Sequence, residues 1–502
     1  MRRSASLTCF ANFTRLEGKT LAYVVILRNV TLTALLGRRR RAKRTEDLKR
    51  MTAHIPTGRA SAFQSLLDKV AERTAQVGVI GLGYVGLPLA AAVAKAGFGV
   101  IGFDIDTSKP EHIHAGRSYI PAVPNETLAR LVQTGRLTAT SDFALLSVCD
   151  VIAICVPTPL GPHREPDLTF VRSTSEAIAR TLRPGQLVSL ESTTYPGTTR
   201  EILKPVLEAA GLVSGHDIFL GFSPEREDPG NSRYDTASIP KVVGGDGQEA
   251  LALMEAFYGA VVESTVPVSS LETAEAVKIT ENVFRAVNIA LANELKVIFT
   301  AMGVDVWEVI DAAKTKPFGY MPFYPGPGLG GHCIPVDPFY LSWKSREYDV
   351  TTRFIELAGE INVAMPRVVV DTLTTALDRQ GGLPLGAARI LLMGLAYKKN
   401  VADLRESPSL KLLELLRLRG ARVDYHDPLI AQVPSTRNYP ALEGLRSAAL
   451  SAEVIADYDA VLIATDHDAV DYGQLARHAK LIVDTRNVMA RAGYSGPRIV
   501  KA

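Results

Sequence analysis

Cysteine is scarce in this chain of 502 residues: four occur, at positions 9, 149, 155 and 333, and none forms a C-x-x-C pair. That usage excludes a disulfide framework and a tetrahedral zinc site, and it fits a reducing cytoplasm. The run LAYVVIL (21–27) is cut by Arg28 and Asn29. It falls far short of the ~20 apolar residues of a spanning helix, so no membrane insertion is expected. Positive charge is also missing from most of the chain. Residues 1–50 carry 13 Lys/Arg against 3 Asp/Glu, whereas the whole chain is only +3. The remaining residues are therefore net acidic, which excludes a nucleic-acid-binding body. The basic character, including GRRRRAKR (37–44), belongs to an extension expected to be disordered and solvated.

What is present is enough for two or three domains: an apolar fraction of 47% and a charged fraction of 22%. From residue 76, short β-branched runs alternate with helical patterns: QVGVIGLG, GVIGFDID, CDVIAICVP and QLVSLEST read as strands of a covered parallel sheet. Residues 272–303 contain no proline and end on their single glycine, which predicts one long helix. Alternation resumes at ARILLMGLAY (388–397), with Ser407-Pro408 as N-cap and first residue of the next helix. The expected architecture is α/β: two Rossmann-like doubly wound domains, 73–265 and 385–502, joined by a central helical domain, 266–368, that holds the long helix.

GLGYVG supplies G-x-G-x-x-G at Gly81, Gly83 and Gly86, with Tyr84 and Val85 between them. It follows a strand, opens a helix and has Asp104 at the end of the next strand, which together form a dinucleotide fingerprint. The helix N-terminus suits a pyrophosphate, and Asp104 suits a ribose 2′-OH, so the cofactor is NAD rather than NADP. On the long helix, Lys278 and Asn282 are spaced i, i+4 and share a face, although spacing alone favours a solvated lysine. Glu225 follows the strand IFLGF, where an open sheet places ligands, and Thr193 offers a hydroxyl in the same layer. Cys149 and Cys155 lie in or beside an apolar strand and read as inert core thiols. Cys333 differs, sitting in YPGPGLGGHCIPVDPFY behind Gly328, Gly330 and Gly331 and ahead of Asp337. One cysteine beside His332 lacks metal-ligand spacing, so a catalytic thiol is the better reading. The pair Tyr340 and Lys344 matches the Y-x-x-x-K of short-chain dehydrogenases only by chance, since the glycine loop is spaced differently.

The fingerprint, the K-x-x-x-N helix, the G-G-x-C loop with Asp337 and the second α/β unit opening GLAYKKNVADLRESP together resemble the UDP-glucose/GDP-mannose dehydrogenase family over about residues 75–490. Within it, SPEREDPGN and the cysteine loop look most like the branch oxidising UDP-N-acetylglucosamine at C6. The resemblance implies a UDP-sugar substrate, NAD as cofactor, a homo-oligomer formed through the central segment, and a four-electron oxidation with Cys333 as nucleophile. It implies that Lys278 and Asn282 stabilise the oxyanion, that Asp337 assists, and that Glu225 with Thr193 serves thioester hydrolysis. Phe323, Tyr324, Gly328, Gly330, Gly331 and Lys398 would hold the sugar nucleotide, and Arg405 would reach NAD. UDP-glucose, UDP-GalNAc and UDP-ManNAc stay open as substrates, as do a two-electron β-hydroxyacid dehydrogenase and a non-catalytic nucleotide-sugar sensor.

Overall fold

The computed structural model describes residues 60–161, 163–226, 236–331, 333–436 and 438–502; the extension (1–50), Cys9 and His332 lie outside them. The alternating apolar runs become strands of two sheets. The first contains β1 (Gln76–Ile80), β2 (Gly99–Phe103), β3 (Leu137–Thr140), β4 (Val151–Ile154), β5 (Leu187–Leu190), β6 (Phe219–Phe222), β7 (Lys241–Gly245) and β8 (Thr265–Pro267), in the order β3-β2-β1-β4-β5-β6-β7-β8. Pairing is parallel except between β6 and β7. Strands β4, β5 and β6 are buried at every position, as in a sheet covered on both faces. The order reverses between β1 and β4, the switch point at whose carboxyl edge such sheets bind ligands.

The second sheet contains β9 (Arg389–Met393), β10 (Arg422–His426), β11 (Ala460–Ile463), β12 (Ile482–Asp484) and β13 (Ile499–Lys501), all parallel, in the order β10-β9-β11-β12-β13. This is the other doubly wound order, with its reversal between β9 and β11.

Five helices position the site: α1 (Gly86–Lys95), α2 (Leu271–Ala301), α3 (Asp337–Ser345), α4 (Arg353–Gly381) and α5 (Pro408–Leu418). The proline-free stretch forms α2, 31 residues and roughly 46 Å long at 1.5 Å per residue. Ser270 caps it by accepting from the Thr273 amide at 3.1 Å. Across α2 and α4, Asn293 Nδ2 donates to Asn362 Oδ1 at 2.9 Å, with both residues buried. The second half of α4 belongs to the core of the second sheet, where Val369, Leu373 and Leu377 pack with Ile390 and Leu392. One helix thus joins the central segment to the C-terminal half. Ser407 caps α5 as its sequence suggests, accepting from the Ser409 amide at 3.2 Å, while its hydroxyl also donates to the Leu395 carbonyl at 2.8 Å. Among the described residues no helix is long and apolar enough to cross a membrane.

Candidate active site

The glycines of the fingerprint have separable reasons. A Cβ on Gly86 would stand 1.8 Å from the Gly81 carbonyl, and one on Gly81, whose φ is +89°, would stand 2.6 Å from the Cys155 carbonyl. Both are demanded by the fold. A Cβ on Gly83 would meet no protein atom within 4 Å, so that side of the loop is open. That open position at the start of α1 fits a pyrophosphate on a helix N-terminus. Asp104 is buried and holds the loop itself: its Oδ2 accepts from the Leu82 amide at 2.8 Å and its Oδ1 from the Asp106 amide at 3.0 Å. Lys109, which the sequence reading passed over, donates to Asp104 at 2.8 Å. The lysine offsets the charge on which discrimination against a 2′-phosphate was argued. Tyr84 lies beneath Arg405, whose guanidinium carbon is 4.4 Å from the ring centroid. Arg405 is held in turn by Asp403, with Nη2 2.6 Å from Oδ2. The C-terminal half therefore covers the cofactor loop.

The cysteine loop closes on itself before α3. The Cys333 carbonyl accepts from the Asp337 amide at 2.8 Å and from the Val336 amide at 3.1 Å, a tight turn that puts thiol and carboxylate on one side. Asn282 Nδ2 donates to Asp337 Oδ2 at 2.6 Å, and Lys278, one turn earlier on α2, is buried with them. The lysine is not the solvated residue its spacing alone suggested. Glu275 anchors this part of α2: it accepts from the Gly197 amide at 2.5 Å, the Thr199 amide at 2.9 Å and the Thr199 hydroxyl at 2.7 Å. Burial pushes the Glu275 carboxyl up to about 7 despite those donors.

Burial and the neighbouring Asp337 raise the Cys333 thiol to about 11, against the pull of Lys278, Arg405 and Arg285. Both effects favour the thiol over the thiolate. Burial likewise lifts Asp337 to about 7, opposed by Lys278 and Asn282.

The glycines of the cysteine loop serve protein packing. A Cβ on Gly330 would lie 2.6 Å from Tyr397 Cβ, and one on Gly331, with φ +86°, 2.9 Å from the Tyr397 ring. The Gly331 amide donates to the Arg405 carbonyl at 3.0 Å, joining the cysteine loop to the strap that covers Tyr84. Gly328 approaches Pro408 at the start of α5 in the same way.

Other sequence-nominated residues are more scattered. Phe323 stacks edge-on against Phe284 of α2, with centroids 5.8 Å apart. The Tyr324 hydroxyl is engaged by Asp311 at 2.7 Å and by Lys314 at 3.3 Å rather than by the cysteine loop. Lys398 is half-buried in the loop after β9. Glu225 follows β6, 3.6 Å from Lys241. The Thr193 carbonyl accepts from the Thr158 hydroxyl at 2.7 Å, and the Thr158 carbonyl accepts from Tyr340, which links that edge of the sheet to α3. The hydroxyl left buried without a protein partner is that of Thr194, next to the threonine the sequence reading chose. Nothing in a Thr-Thr pair tells which side chain turns inward. Tyr340 and Lys344 do not act together: Lys344 pairs with Glu201 at 2.8 Å and with Glu347 at 2.6 Å. Arg486 is half-buried after β12, and a Cβ on Gly326 would lie 2.6 Å from its Nη1.

Comparison with known proteins accounts for this arrangement. The chain matches the NAD binding domain of the UDP-glucose/GDP-mannose dehydrogenase family over residues 75–262, the central domain over 272–364 and the UDP binding domain over 391–491. It is 37% identical over 394 residues to the UDP-N-acetyl-D-glucosamine 6-dehydrogenase of Pseudomonas aeruginosa, covering 78% of this chain and 90% of that protein. It is 34% identical over 422 residues to the UDP-N-acetyl-D-mannosamine dehydrogenase of Pyrococcus horikoshii, covering 82% and 96%. The solved UDP-D-ManNAc dehydrogenase from Pyrococcus horikoshii superposes with a TM-score of 0.76 at 32% identity, covering 85% of this chain and 98% of that one. The chain belongs to the UDP-glucose/GDP-mannose dehydrogenase family and is an NAD-dependent nucleotide-sugar dehydrogenase.

Proposed function

We propose that the chain oxidises the C6 hydroxyl of UDP-N-acetylglucosamine to the uronate through a thiohemiacetal and a thioester on Cys333. The observation that carries this reading is the half-buried Cys333 beside the buried Asp337, Asn282 and Lys278. Bound NAD+ supplies the hydride acceptor for the two oxidations. Gly81, Gly83, Tyr84, Val85, Gly86, Asp104 and Arg405 would hold it. Lys278 with Asn282 stabilises the developing alkoxide, and Asp337 accepts the alcohol proton and passes it to solvent before the second oxidation, while the thiol proton moves to the aldehyde oxygen as the C–S bond forms. Capture of the aldehyde by Cys333 forms the C–S bond and keeps a reactive intermediate in place. Glu225 then takes a proton from the water that cleaves the thioester, with Thr193 and Thr194 as candidate donors to the carbonyl. Phe323, Tyr324, Gly328, Gly330, Gly331 and Lys398 form the proposed sugar-nucleotide surface. The identity to an N-acetylglucosamine enzyme supports the choice of sugar, and mannosamine enzymes nearby make UDP-ManNAc the second candidate.

Two NADH per sugar is the expected stoichiometry, and Cys333→Ser should abolish turnover while NAD still binds. One NADH per sugar, or near-normal turnover in Cys333→Ser, refutes the reading; a panel of UDP-sugars ranks the substrates.

The same reading makes the enzyme a homo-oligomer. Phe284, Leu291, Ile298 and Met302 are exposed at spacings of seven, seven and four on α2, a continuous apolar stripe suited to a second copy. Leu291→Glu should shift the sedimentation coefficient toward that of a monomer. A cytoplasmic location belongs to this reading too, since Cys149, Cys155 and Cys333 are free thiols.

A further inference from the structure

Glu225 does not stand alone at the carboxyl edge of the first sheet. Strands β6 and β7 pair antiparallel with Gly221 opposite Gly245 and Phe222 opposite Gly244. Continued three residues further, that register sets Glu225 across from Lys241, the first residue of β7. Lys241 is 5% exposed, and its Nζ lies 2.9 Å from Glu191 Oε2 and 3.6 Å from Glu225 Oε2. Glu191, just past β5, is 1% exposed; its Oε1 accepts from the Ser189 hydroxyl at 2.8 Å and from the Tyr258 hydroxyl. Lys241 also sits 5.1 Å from the Tyr258 ring centroid. One buried cation therefore serves two carboxylates: Glu191 is fixed by three neighbours, and Glu225 is held more loosely at the edge of the cleft.

Burying this triad is not explained by stability, because buried ion pairs rarely exceed their desolvation cost. We propose that Lys241 is a positioning residue for Glu225, holding its carboxylate charged and aimed at the hydrolytic water, while Glu191 competes for the lysine and keeps Glu225 basic. The proposal rests on the thioester reading of Cys333. In the step concerned, the water oxygen bonds the C6 carbonyl carbon and one water proton passes to Glu225. The C–S bond then breaks, leaving the uronic acid and the Cys333 thiolate. Charge balances, with one negative charge moving from Glu225 to sulfur. Among the described residues, Glu225 is also faced by the Cys155 thiol after β4, which interacts with all three members, and by Arg226. The Arg226 amide donates to Glu225 Oε1 at 2.6 Å, while its guanidinium is held by Glu281 of α2 at 2.6 Å.

A structural role and this positioning role make different predictions for charge. Without Lys241 two carboxylates share a buried space, so Glu225 protonates more readily and the acid limb of thioester decay moves to higher pH. Without the charge on Glu191, Lys241 turns wholly to Glu225, and the limb moves to lower pH while the plateau rate falls.

The test is rapid quench of the full-length enzyme with UDP-N-acetylglucosamine and NAD+, followed by mass spectrometry of the Cys333 adduct across pH. Lys241→Met should accumulate the acyl-enzyme near neutral pH, its decay limb raised by about one unit and its rate lowered about tenfold. Lys241→Arg should restore the limb, and Glu191→Gln should move it the opposite way. Limbs unchanged in both variants, or shifted in the same direction, overturn the proposal while leaving the thioester chemistry standing. If Lys241→Met does not fold, as judged by NAD binding, the sign of the Glu191→Gln shift decides alone. A wild-type enzyme that carries no adduct, together with an active Cys333→Ser, overturns the thioester reading and the proposal with it.

Discussion

The two sheets open with the same device and end it differently. In each, the first strand runs into a glycine of positive φ, Gly81 at +89° and Gly394 at +81°. In each, an aspartate after the second strand accepts from the backbone of the loop: Asp104 from the Leu82 amide at 2.8 Å, and Asp427 from the Leu395 amide at 2.7 Å and the Ala396 amide at 3.0 Å. After the first glycine a helix begins within a turn and offers its N-terminus. After the second, the next helix does not start until Pro408, and the intervening loop carries Lys398 and Lys399 instead. The first latch thus presents a helix N-terminus suited to an anion, and the second is proposed to do so through Lys398. The aspartates also differ in their side-chain partner. Lys109 beside Asp104 is partly exposed, whereas His467 beside Asp427, at 3.1 Å, is buried.

The comparison breaks most sharply at the glycines. Gly86→Ala forces a Cβ to 1.8 Å from the Gly81 carbonyl oxygen, with the Cys155 Cβ at 3.2 Å, and should destabilise the fold as well as the loop. NAD affinity should fall about 100-fold or more, measured by calorimetry. Gly83→Ala meets no protein atom, so it should leave the melting temperature unchanged and weaken NAD binding only. In the second sheet, Gly394→Ala meets the Thr465 carbonyl at 2.2 Å. It should destabilise by roughly 3 kcal/mol or more but, unlike Gly86→Ala, leave NAD affinity in the folded fraction within about twofold of wild type.

A smaller effect separates the aspartates. Four backbone amides and His467 hold the Asp427 carboxyl down at about 2, from the usual 3.8. Its folded value lies below its unfolded one, so the stabilisation is complete above about pH 4 and is lost as pH falls toward 2. That difference is worth roughly 2 kcal/mol. Asp427→Asn should remove this part of the acid dependence of unfolding, followed by chemical denaturation at a series of pH values. Asp337 has the opposite sign. Its carboxyl is raised to about 7, so folding favours its protonated form, and stability from this group declines as pH rises from about 4 through 7. Asp337→Asn should flatten that decline while lowering turnover.

How far these features can be read in advance depends on how locally they are encoded. The fingerprint glycines, the long helix and the Ser407-Pro408 cap are local in sequence, and the fold reproduces them. Strands β3, β7, β8 and β13 were not anticipated, because LTAT, KVVGG, TVP and IVK are too short for periodicity to register. Three of them lie at sheet edges, where alternation between faces is least enforced. In the site, Cys333, Asp337, Lys278 and Asn282 stood out as residue types at suggestive spacings, but their protonation did not, since burial is a property of the assembled halves. Lys241 carries no signal at all: its partners come from β5 and the end of β6, and only sheet register makes them neighbours. His467 and Asp427 are equally distant in sequence and meet only across the switch point of the second sheet.

The smallest effect concerns Lys109. It donates to Asp104 while keeping a side-chain exposure of 29%, so solvent screens the pair and its worth is at most about 1 kcal/mol. Removing the cation leaves the Asp104 charge uncompensated toward a ribose 2′-phosphate, whereas a 2′-hydroxyl still finds an acceptor. Lys109→Met should therefore raise the preference for NAD over NADP by about two- to fivefold, with the melting temperature little changed. The measurement is the ratio of dissociation constants for the two cofactors at fixed ionic strength, repeated at high salt, where the gain should shrink. Loss of NAD affinity beyond about tenfold would mean that Lys109 touches the cofactor directly. The first latch would then contribute a side chain to its ligand as the second is proposed to do through Lys398, and the contrast between the two sheets would narrow to the helix N-terminus alone.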